Sequence, residues 1–163
     1  MTEANDFAGI APGAALPELA LAITRADLVR FAGAADDYMP QHWDQPMMIA
    51  AGFADVVVHG WLCCAHMCRC VTDWATPRGA ILAAYHVTYR QPLYPGPLTC
   101  GGEVVAAEAG EVTLELWARD GSGQTVTRAT ARLRPADAAA ELRGRARRNK
   151  SRNDAGITGS GAR

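Results

Sequence analysis

The sequence lacks an excess of charge of either sign. Its 163 residues contain 16 Lys and Arg against 17 Asp and Glu, a formal net charge of -1. Nucleic acids and anionic lipid surfaces attract proteins that carry a surplus of positive charge. The balance therefore argues against nucleic acid as a partner and against binding to a membrane surface.

The sequence also lacks an apolar run long enough to cross a membrane. The longest strongly apolar stretch, residues 47–58, is interrupted by Gly52 and Asp55 and falls short of the roughly 20 residues that a span needs. Residues 1–8 contain acids and no basic segment followed by an apolar one, so they do not resemble an export signal. We therefore expect a cytoplasmic protein with no membrane partner.

Cysteine is nearly absent outside one short segment. Four of the five cysteines, Cys63, Cys64, Cys68 and Cys70, lie close together, and the fifth is Cys100. An odd number in this arrangement is not typical of a secreted disulfide framework. Four cysteines on one helix point in different directions, so the segment favours small apolar side chains over metal ligands.

The overall composition is that of an ordinary globular domain. Apolar residues make up 49% of the chain and charged residues 20%, and the length suits one hydrophobic core. We predict a flexible segment over residues 1–15, one folded domain over 16–136 and a disordered tail over 137–163. The tail is strongly basic but has no aromatic residues among its charges, which favours solvated disorder over nucleic-acid binding.

The first half of the chain predicts a strand, a helix and a stiff loop. Residues 16–23 are mostly aliphatic, and Thr24 can cap a following helix over residues 25–35. Pro40 disfavours helical geometry at the preceding residue and cannot donate a backbone hydrogen bond. Residues 37–44 should therefore form an irregular, locally rigid loop.

The second half predicts one buried helix followed by an antiparallel sheet. Residues 61–74 are apolar nearly all round, as expected for a helix inside a fold. Clusters of turn-forming residues then separate four segments of strand length. These segments are residues 81–90, 98–107, 112–119 and 125–134. The order of the elements predicts an α+β fold.

Three segments together resemble a known family. They are DDYMPQHWD at residues 36–44, VVVHG at 56–60 and YRQPLYPG at 89–96. The combination resembles the MaoC-like acyl dehydratases and (R)-specific enoyl-CoA hydratases of the hot-dog superfamily, over residues 16–134. The resemblance implies a hot-dog fold, in which an antiparallel sheet wraps around the long helix at 61–74.

The resemblance also implies an activity and its residues. Reversible hydration of a trans-2-enoyl thioester to an (R)-3-hydroxyacyl thioester needs a base, an acid and a donor for the thioester oxygen. Asp37 and His42 would hold one water, and the backbone N–H of Gly60 would bind the oxygen. Cys68 occupies a helix position that faces the substrate in related enzymes. Without the flanking pattern, Asp37 and His42 would be interpreted as a turn cap and a structural loop residue.

Other histidines and two substitutions complete this interpretation. His59 is predicted to shape the chain before the helix, while His66 and His86 receive no role. The sequence departs from the family pattern where Met39 replaces an Asn and Asp36 replaces a Gly. The first change removes an amide from the loop, and the second adds a carboxylate beside Asp37.

The expected partners are an acyl-CoA or acyl-carrier thioester and a second protein chain. An exposed sheet edge predicts a homodimer, with a hetero-oligomer containing a related subunit as the alternative. Arg90 and the basic tail are candidates for contacts with the phosphates of CoA. We predict neither a cofactor nor a metal site.

Two alternative functions remain open on the sequence. One is a hot-dog acyl-CoA thioesterase, which needs a carboxylate near the central helix; Asp73 lies at the wrong end of that helix. The other is a non-catalytic acyl-thioester-binding subunit of a hetero-oligomeric dehydratase. Retention of both Asp37 and His42 argues against a subunit without activity.

Overall fold

The computed structural model describes residues 6–108 and 110–136. The described elements, in chain order, are β1 (Leu19–Ile23), α1 (Arg25–Ala35), α2 (Gln45–Ala50), α3 (Gly60–Ala75), β2 (Ala80–Tyr89), β3 (Gly96–Glu108), β4 (Glu111–Asp120) and β5 (Thr125–Pro135). No described helix is both long enough and apolar enough to cross a membrane. The predicted tail at 137–163 lies outside the described residues, as do residues 1–5.

The strands form a single five-stranded antiparallel sheet in the described part of the chain. The strand order is β1-β3-β4-β5-β2, so β1 and β2 lie at the two edges. Strands β3, β4 and β5 follow one another as hairpins, as the turn clusters predict. The predicted α+β architecture is confirmed, and each of the four later strands lies within two residues of its predicted bounds.

Helix α3 lies across one face of the sheet and forms the centre of the core. It packs against β2, β3 and β4, and its buried side chains include Leu62, Met67, Val71 and Trp74. Each fully buried large apolar side chain contributes about 1.5–3 kcal/mol through loss of water contact. The prediction of a buried helix at residues 61–74 is therefore confirmed, with one further residue at each end.

Helix α1 occupies the predicted residues 25–35 and begins with a full capping box. The side chain of Thr24 accepts a hydrogen bond from the Asp27 N–H, and the Asp27 carboxylate accepts from the Thr24 N–H at 2.9 Å. Each contact satisfies a backbone donor that an uncapped helix end would leave free. The cap fixes where α1 starts and therefore where the loop after it begins.

The structure describes residues 6–15 of the segment predicted to be flexible. They form a 3-10 turn at Asp6–Gly9, and the Gly13 N–H donates to the Val104 carbonyl at 2.8 Å. Phe7 is buried against the core, and its apolar side chain is the physical reason that this short segment packs down. The predicted strand at 16–23 is also shorter, because Pro17 cannot donate to a ladder and β1 begins at Leu19.

Helix α2 is a short element that the sequence interpretation missed. The Asp44 side chain caps it by accepting from the Met47 N–H at 3.0 Å, and Pro46 lies in its first turn. An acidic cap followed by proline at this position is a recognisable start signal. The helix carries Met47 and Met48 to one side of the loop that contains His42.

Candidate functional site

The loop after α1 holds the predicted catalytic residues in fixed positions. Asp36 adopts the left-handed conformation at φ 54° and ends the helix, and the Asp37 N–H donates back to the Ala32 carbonyl at 3.2 Å. A 3-10 turn at Pro40–His42 follows. The indole N–H of Trp43 donates to the Tyr38 carbonyl at 2.9 Å, which closes the loop on itself.

Asp37 and His42 face each other across a short gap. The Asp37 Oδ2 lies 3.8 Å from the His42 Nε2. This separation is too long for a direct hydrogen bond but suits one water molecule bonded to both atoms. His42 is buried and the Asp37 side chain is 34% exposed, so the gap is open on the carboxylate side. The structure thus brings together the two residues predicted from the sequence.

The hydrogen bonds of His42 indicate which ring nitrogen carries the proton. Its Nδ1 lies 2.6 Å from the Val57 carbonyl oxygen, which can only accept, so Nδ1 is the donor. The Nε2 atom of a ring protonated at Nδ1 is then an acceptor at the gap, and in this structure the Gln41 side-chain nitrogen donates to it at 3.2 Å. An acceptor nitrogen beside a carboxylate is suited to taking a proton from water.

His59 contacts both members of this pair. Its ring stacks on His42 with centroids 3.7 Å apart and an interplanar angle of 20°, and Phe31 lies on the other side at 5.0 Å. The His59 Nε2 lies 3.2 Å from the Asp37 carbonyl oxygen, to which it donates. Burial lowers the pKa of His59 below its ordinary 6.5, so the ring is neutral at pH 7. The role in shaping the chain that the sequence suggested is consistent with these contacts.

Asp37, His42 and His59 are close enough together to raise the question of a metal. One ligand atom from each lies within 4.8 Å of the others. However, the two stacked rings direct their lone pairs within nearly parallel planes. A metal ion in the plane of one imidazole would stand out of the plane of the other, whereas imidazole ligands bind through in-plane lone pairs. The arrangement suits a supported proton-transfer pair better than a metal centre.

Gly60 is the first residue of α3, where helix N–H groups lack intrahelical partners. The N–H groups of Leu62 and Cys63 bond to the His59 carbonyl, but no acceptor among the described residues takes the Gly60 N–H. A Cβ atom at Gly60 would lie 2.8 Å from Cζ of Tyr89. The absent side chain therefore leaves room for Tyr89 and exposes a backbone donor at the positive end of the helix dipole.

One cavity of about 650 Å³ joins these groups. Asp37, His42 and Gly60 all line it, together with polar groups that include Gln41, Arg90 and Thr127. The apolar part of the wall includes Met47, Met48, Phe53, Val57, Val58, Trp61, Pro92 and Leu93. The cavity can hold an apolar group beside a proton-transfer pair and a backbone donor, which is the arrangement that thioester chemistry needs.

Cys68 is the one predicted site residue that the structure places elsewhere. It lies two helical turns, about 12 Å, beyond Gly60 along α3 and is not among the residues that line the cavity. The cysteine in the cavity wall is Cys63, whose pKa burial raises to about 11. Both thiols are uncharged at pH 7, because burial also raises the pKa of Cys68. Neither is therefore a thiolate nucleophile or ligand.

Tyr89 is a site residue to which the sequence interpretation gave no role. Its ring covers Gly60, and its hydroxyl lies 3.1 Å from the Cys64 Sγ. Burial raises the pKa of the Tyr89 phenol, so the hydroxyl stays protonated at neutral pH. The residue opens the YRQPLYPG segment, so its position in that motif was the available signal.

Comparison with known proteins gives a consistent result. Residues 9–129 match the family described as the MaoC like domain. The 3-oxo-4,17-pregnadiene-20-carboxyl-CoA hydratase beta subunit of Mycobacterium tuberculosis is 33% identical over 116 residues, which is 71% of this chain and 89% of the relative.

Solved structures show the same fold. The ChsH1-ChsH2 complex from Mycobacterium tuberculosis matches with a TM-score of 0.70 and 31% identity, over 77% of this chain and 98% of that chain. The R-hydratase PhaJ1 from Pseudomonas aeruginosa has a TM-score of 0.72 and 22% identity, over 79% and 84% of the two chains. The predicted hot-dog fold is thereby confirmed.

Proposed function

Since the chain belongs to the MaoC-like dehydratase family, we propose that it catalyses reversible hydration of a trans-2-enoyl thioester to an (R)-3-hydroxyacyl thioester. The observation that carries the proposal is the 3.8 Å gap between Asp37 Oδ2 and His42 Nε2. The gap opens into the cavity that also contains Gly60, whose N–H is free of any described acceptor. A water and a thioester oxygen therefore have separate, complementary positions in one site.

In the hydration direction, the bridging water donates hydrogen bonds to the Asp37 carboxylate and to the His42 Nε2 lone pair, where it replaces the Gln41 side-chain nitrogen as donor. As the water oxygen forms a bond to C3, the Asp37–His42 pair accepts one proton from that water. At the same time the C2–C3 π electrons move toward the thioester carbonyl. The Gly60 N–H stabilises the negative charge that develops on the thioester oxygen. The proton then passes from the pair to C2 on the same face, and dehydration is the reverse.

The contributions expected from these groups are of the usual size. General acid–base catalysis by a positioned pair supplies about 10²- to 10⁴-fold in rate, and one oxyanion donor about 10²- to 10³-fold. His59 contributes indirectly, because it holds the Asp37 carbonyl and the His42 ring in place. Such support matters because small displacements of a catalytic group cost large factors in rate.

The proposed substrate is an acyl-CoA. The relative from Mycobacterium tuberculosis is named as a hydratase of a CoA thioester, which supports CoA as the carrier here. The cavity wall contributes Met48, Phe53 and Trp61, which suit an apolar acyl group.

The proposed assembly is a homodimer or a pair with a related subunit. Strand β2 is an edge strand, so one side of its backbone is available to another chain. The ChsH1-ChsH2 structure is named as a complex, and the sequence relative is named as a beta subunit. Both names favour a partner chain, while the predicted cytoplasmic location stays a prediction.

A thioesterase is less well supported by the geometry. Asp73 is the carboxylate of α3, and it lies about 20 Å along the helix from Gly60. Its side chain is 62% exposed and pairs with Arg69. No other acidic residue lies on this helix, so the helix offers no carboxylate to activate water beside the thioester.

The proposal is tested by supplying the purified protein with trans-2-enoyl-CoA and with a saturated acyl-CoA of the same length. We expect loss of the enoyl absorbance with the first substrate and no release of free thiol from either. Thiol release from both substrates would identify a hydrolase. No change with enoyl-CoAs across a range of acyl groups, with or without a related subunit, would contradict the proposal.

A further inference from the structure

A second recess lies on the outer face of the sheet, opposite α3. It has a volume of about 190 Å³ and is formed by β2, β4 and β5. Its floor is the backbone near Leu116 and Ala129, whose side chains are buried on the other face. The side chains around it are His86, Thr88, Arg90, Glu115, Arg128 and Thr130.

Strand register brings these side chains together. Thr88 pairs with Arg128, and His86 pairs with Thr130, across the β2–β5 ladder. Alternate residues of a strand project from the same face, so His86, Thr88 and Arg90 follow one another along the rim. The recess therefore brings together two guanidinium groups, two hydroxyls, an imidazole and the carboxylate of Glu115.

The two arginines are available to a ligand. Within residues 6–108 and 110–136, neither Arg90 nor Arg128 has a carboxylate oxygen within 4.0 Å. By contrast, Arg132 and Arg134, farther along β5, both pair with Glu111 at 3.4 and 2.9 Å. A guanidinium with free donors is well matched to phosphate, to which it can make two parallel hydrogen bonds.

The recess and the catalytic cavity adjoin each other at Arg90. Arg90 lines both spaces, and the residue before it, Tyr89, lies against Gly60. A substrate whose thioester oxygen meets the Gly60 N–H can thus leave the cavity past Arg90 and continue over the end of β2. CoA has this form, with a reactive thioester at one end and three phosphate groups at the other.

We propose that this outer recess, with Arg90 and Arg128 as its phosphate ligands, binds a phosphate group of the 3′-phosphoadenosine diphosphate end of CoA. The inference rests on the proposed function, because it assigns the carrier of the same substrate. A recess of this size fits a phosphate group rather than a protein surface. Glu115 also lines the recess, where its single carboxylate opposes a phosphate that the two guanidinium groups attract.

The binding test uses adenosine 3′,5′-bisphosphate and free CoA, so it needs no turnover. We expect calorimetry to give a dissociation constant about tenfold or more higher for Arg128→Ala and for Arg90→Ala, as expected for a lost charged hydrogen bond to phosphate. Glu115→Gln should bind both ligands more tightly, because it removes a repelling carboxylate. Arg69→Ala, an exposed arginine on α3, is the matched control and should bind as wild type does.

The kinetic test compares an enoyl-CoA with the enoyl-pantetheine thioester of the same acid, which lacks the nucleotide. Arg128→Ala should raise KM about tenfold for the CoA substrate at unchanged kcat, and should leave the pantetheine substrate unaffected. Equal effects on both substrates would overturn the recess assignment, as would unchanged CoA binding in both arginine variants. The assignment would also be overturned if the arginine variants bound an acyl-carrier protein more weakly but bound CoA as wild type does. Normal nucleotide binding without any hydration would instead count against the proposed function.

Discussion

At the scale of single residues, Gly60 combines a packing constraint with a chemical one. Its backbone N–H lacks a described acceptor, and its missing side chain leaves space that Tyr89 fills. The two properties make different demands on a replacement residue. A Cβ atom at this position would contact the end of the half-exposed Tyr89 ring, which can move. It would also lie beside the N–H that we propose as the donor to the thioester oxygen.

Gly60→Ala is expected to lower kcat/KM at least tenfold and to change the free energy of unfolding by less than about 1 kcal/mol. Alanine favours a helix by up to about 1 kcal/mol over glycine, which offsets the cost of displacing Tyr89. The activity should remain low in Gly60→Ala combined with Tyr89→Ala, because the new methyl group still crowds the donor. Steady-state kinetics and urea denaturation check both expectations. Wild-type activity in the single variant would show that Gly60 does not contact the substrate.

The residues nearest the chemistry differ in how far the sequence could predict them. Asp37 and His42 are five positions apart with Pro40 between them, so local geometry and the family pattern were enough. The stack of His59 on His42 was not predictable, since it depends on Phe31 and on the path of the loop. The role suggested for Cys68 rested on helix position alone, and the structure places that residue away from the cavity.

At the scale of secondary-structure elements, β3 and β4 approach each other closely at two glycines. Gly101 faces the Trp117 ring on the outer side, and Gly102 faces Leu116 on the inner side. A Cβ at Gly102 would lie 2.6 Å from the backbone oxygen of Glu115 and 2.5 Å from a Leu116 methyl group. Backbone cannot move aside as the end of a side chain can, so the contact would distort the ladder.

Gly102→Ala is therefore expected to lower the free energy of unfolding by about 1–3 kcal/mol, the usual cost of overfilling a packed interior. Gly33→Ala on α1 is the control, because its new methyl group would meet only the Tyr38 hydroxyl at 3.8 Å. That control should be stabilised by up to about 1 kcal/mol through helix propensity. Urea denaturation measures both variants. A Gly102→Ala protein as stable as wild type would mean that the two strands can separate without loss.

Elements with strong local patterns could be predicted and short ones could not. The buried helix α3 and the strands after it follow from apolar content and from turn clusters that are visible in the sequence. Helix α2 has only six residues and too little periodicity, although its Asp44 cap was a usable signal. The 3-10 turn at Asp6–Gly9 is held by contacts with the core, which no local pattern reveals.

At the scale of the whole molecule, the sheet has an order that hairpins alone do not determine. β3, β4 and β5 are neighbours in sequence and in space, but β1 pairs with β3, and β2 pairs with β5. Such pairings depend on contacts between distant residues, so only the family resemblance predicted the complete hot-dog arrangement. The outer edge of β2 remains available to another chain.

We expect the protein to be a dimer in solution, either with itself or with a related subunit. Light scattering of the purified chain over a range of concentrations should give twice the mass of one chain. If it gives one chain mass, addition of a related subunit should produce a heterodimer and raise activity. A monomer that hydrates enoyl-CoA at full rate without any partner would contradict this expectation.

The central claim is that Asp37 and His42 act together on one water opposite Gly60. Its most direct test is kcat/KM for an enoyl-CoA with Asp37→Asn, His42→Ala and the double variant, each with its fold checked by circular dichroism. We predict that each single change lowers kcat/KM by about 10²- to 10⁴-fold and that the double variant is no slower than the slower single one, because residues acting as a unit are not additive. Losses that multiply in the double variant, or wild-type activity in either single one, would contradict the account.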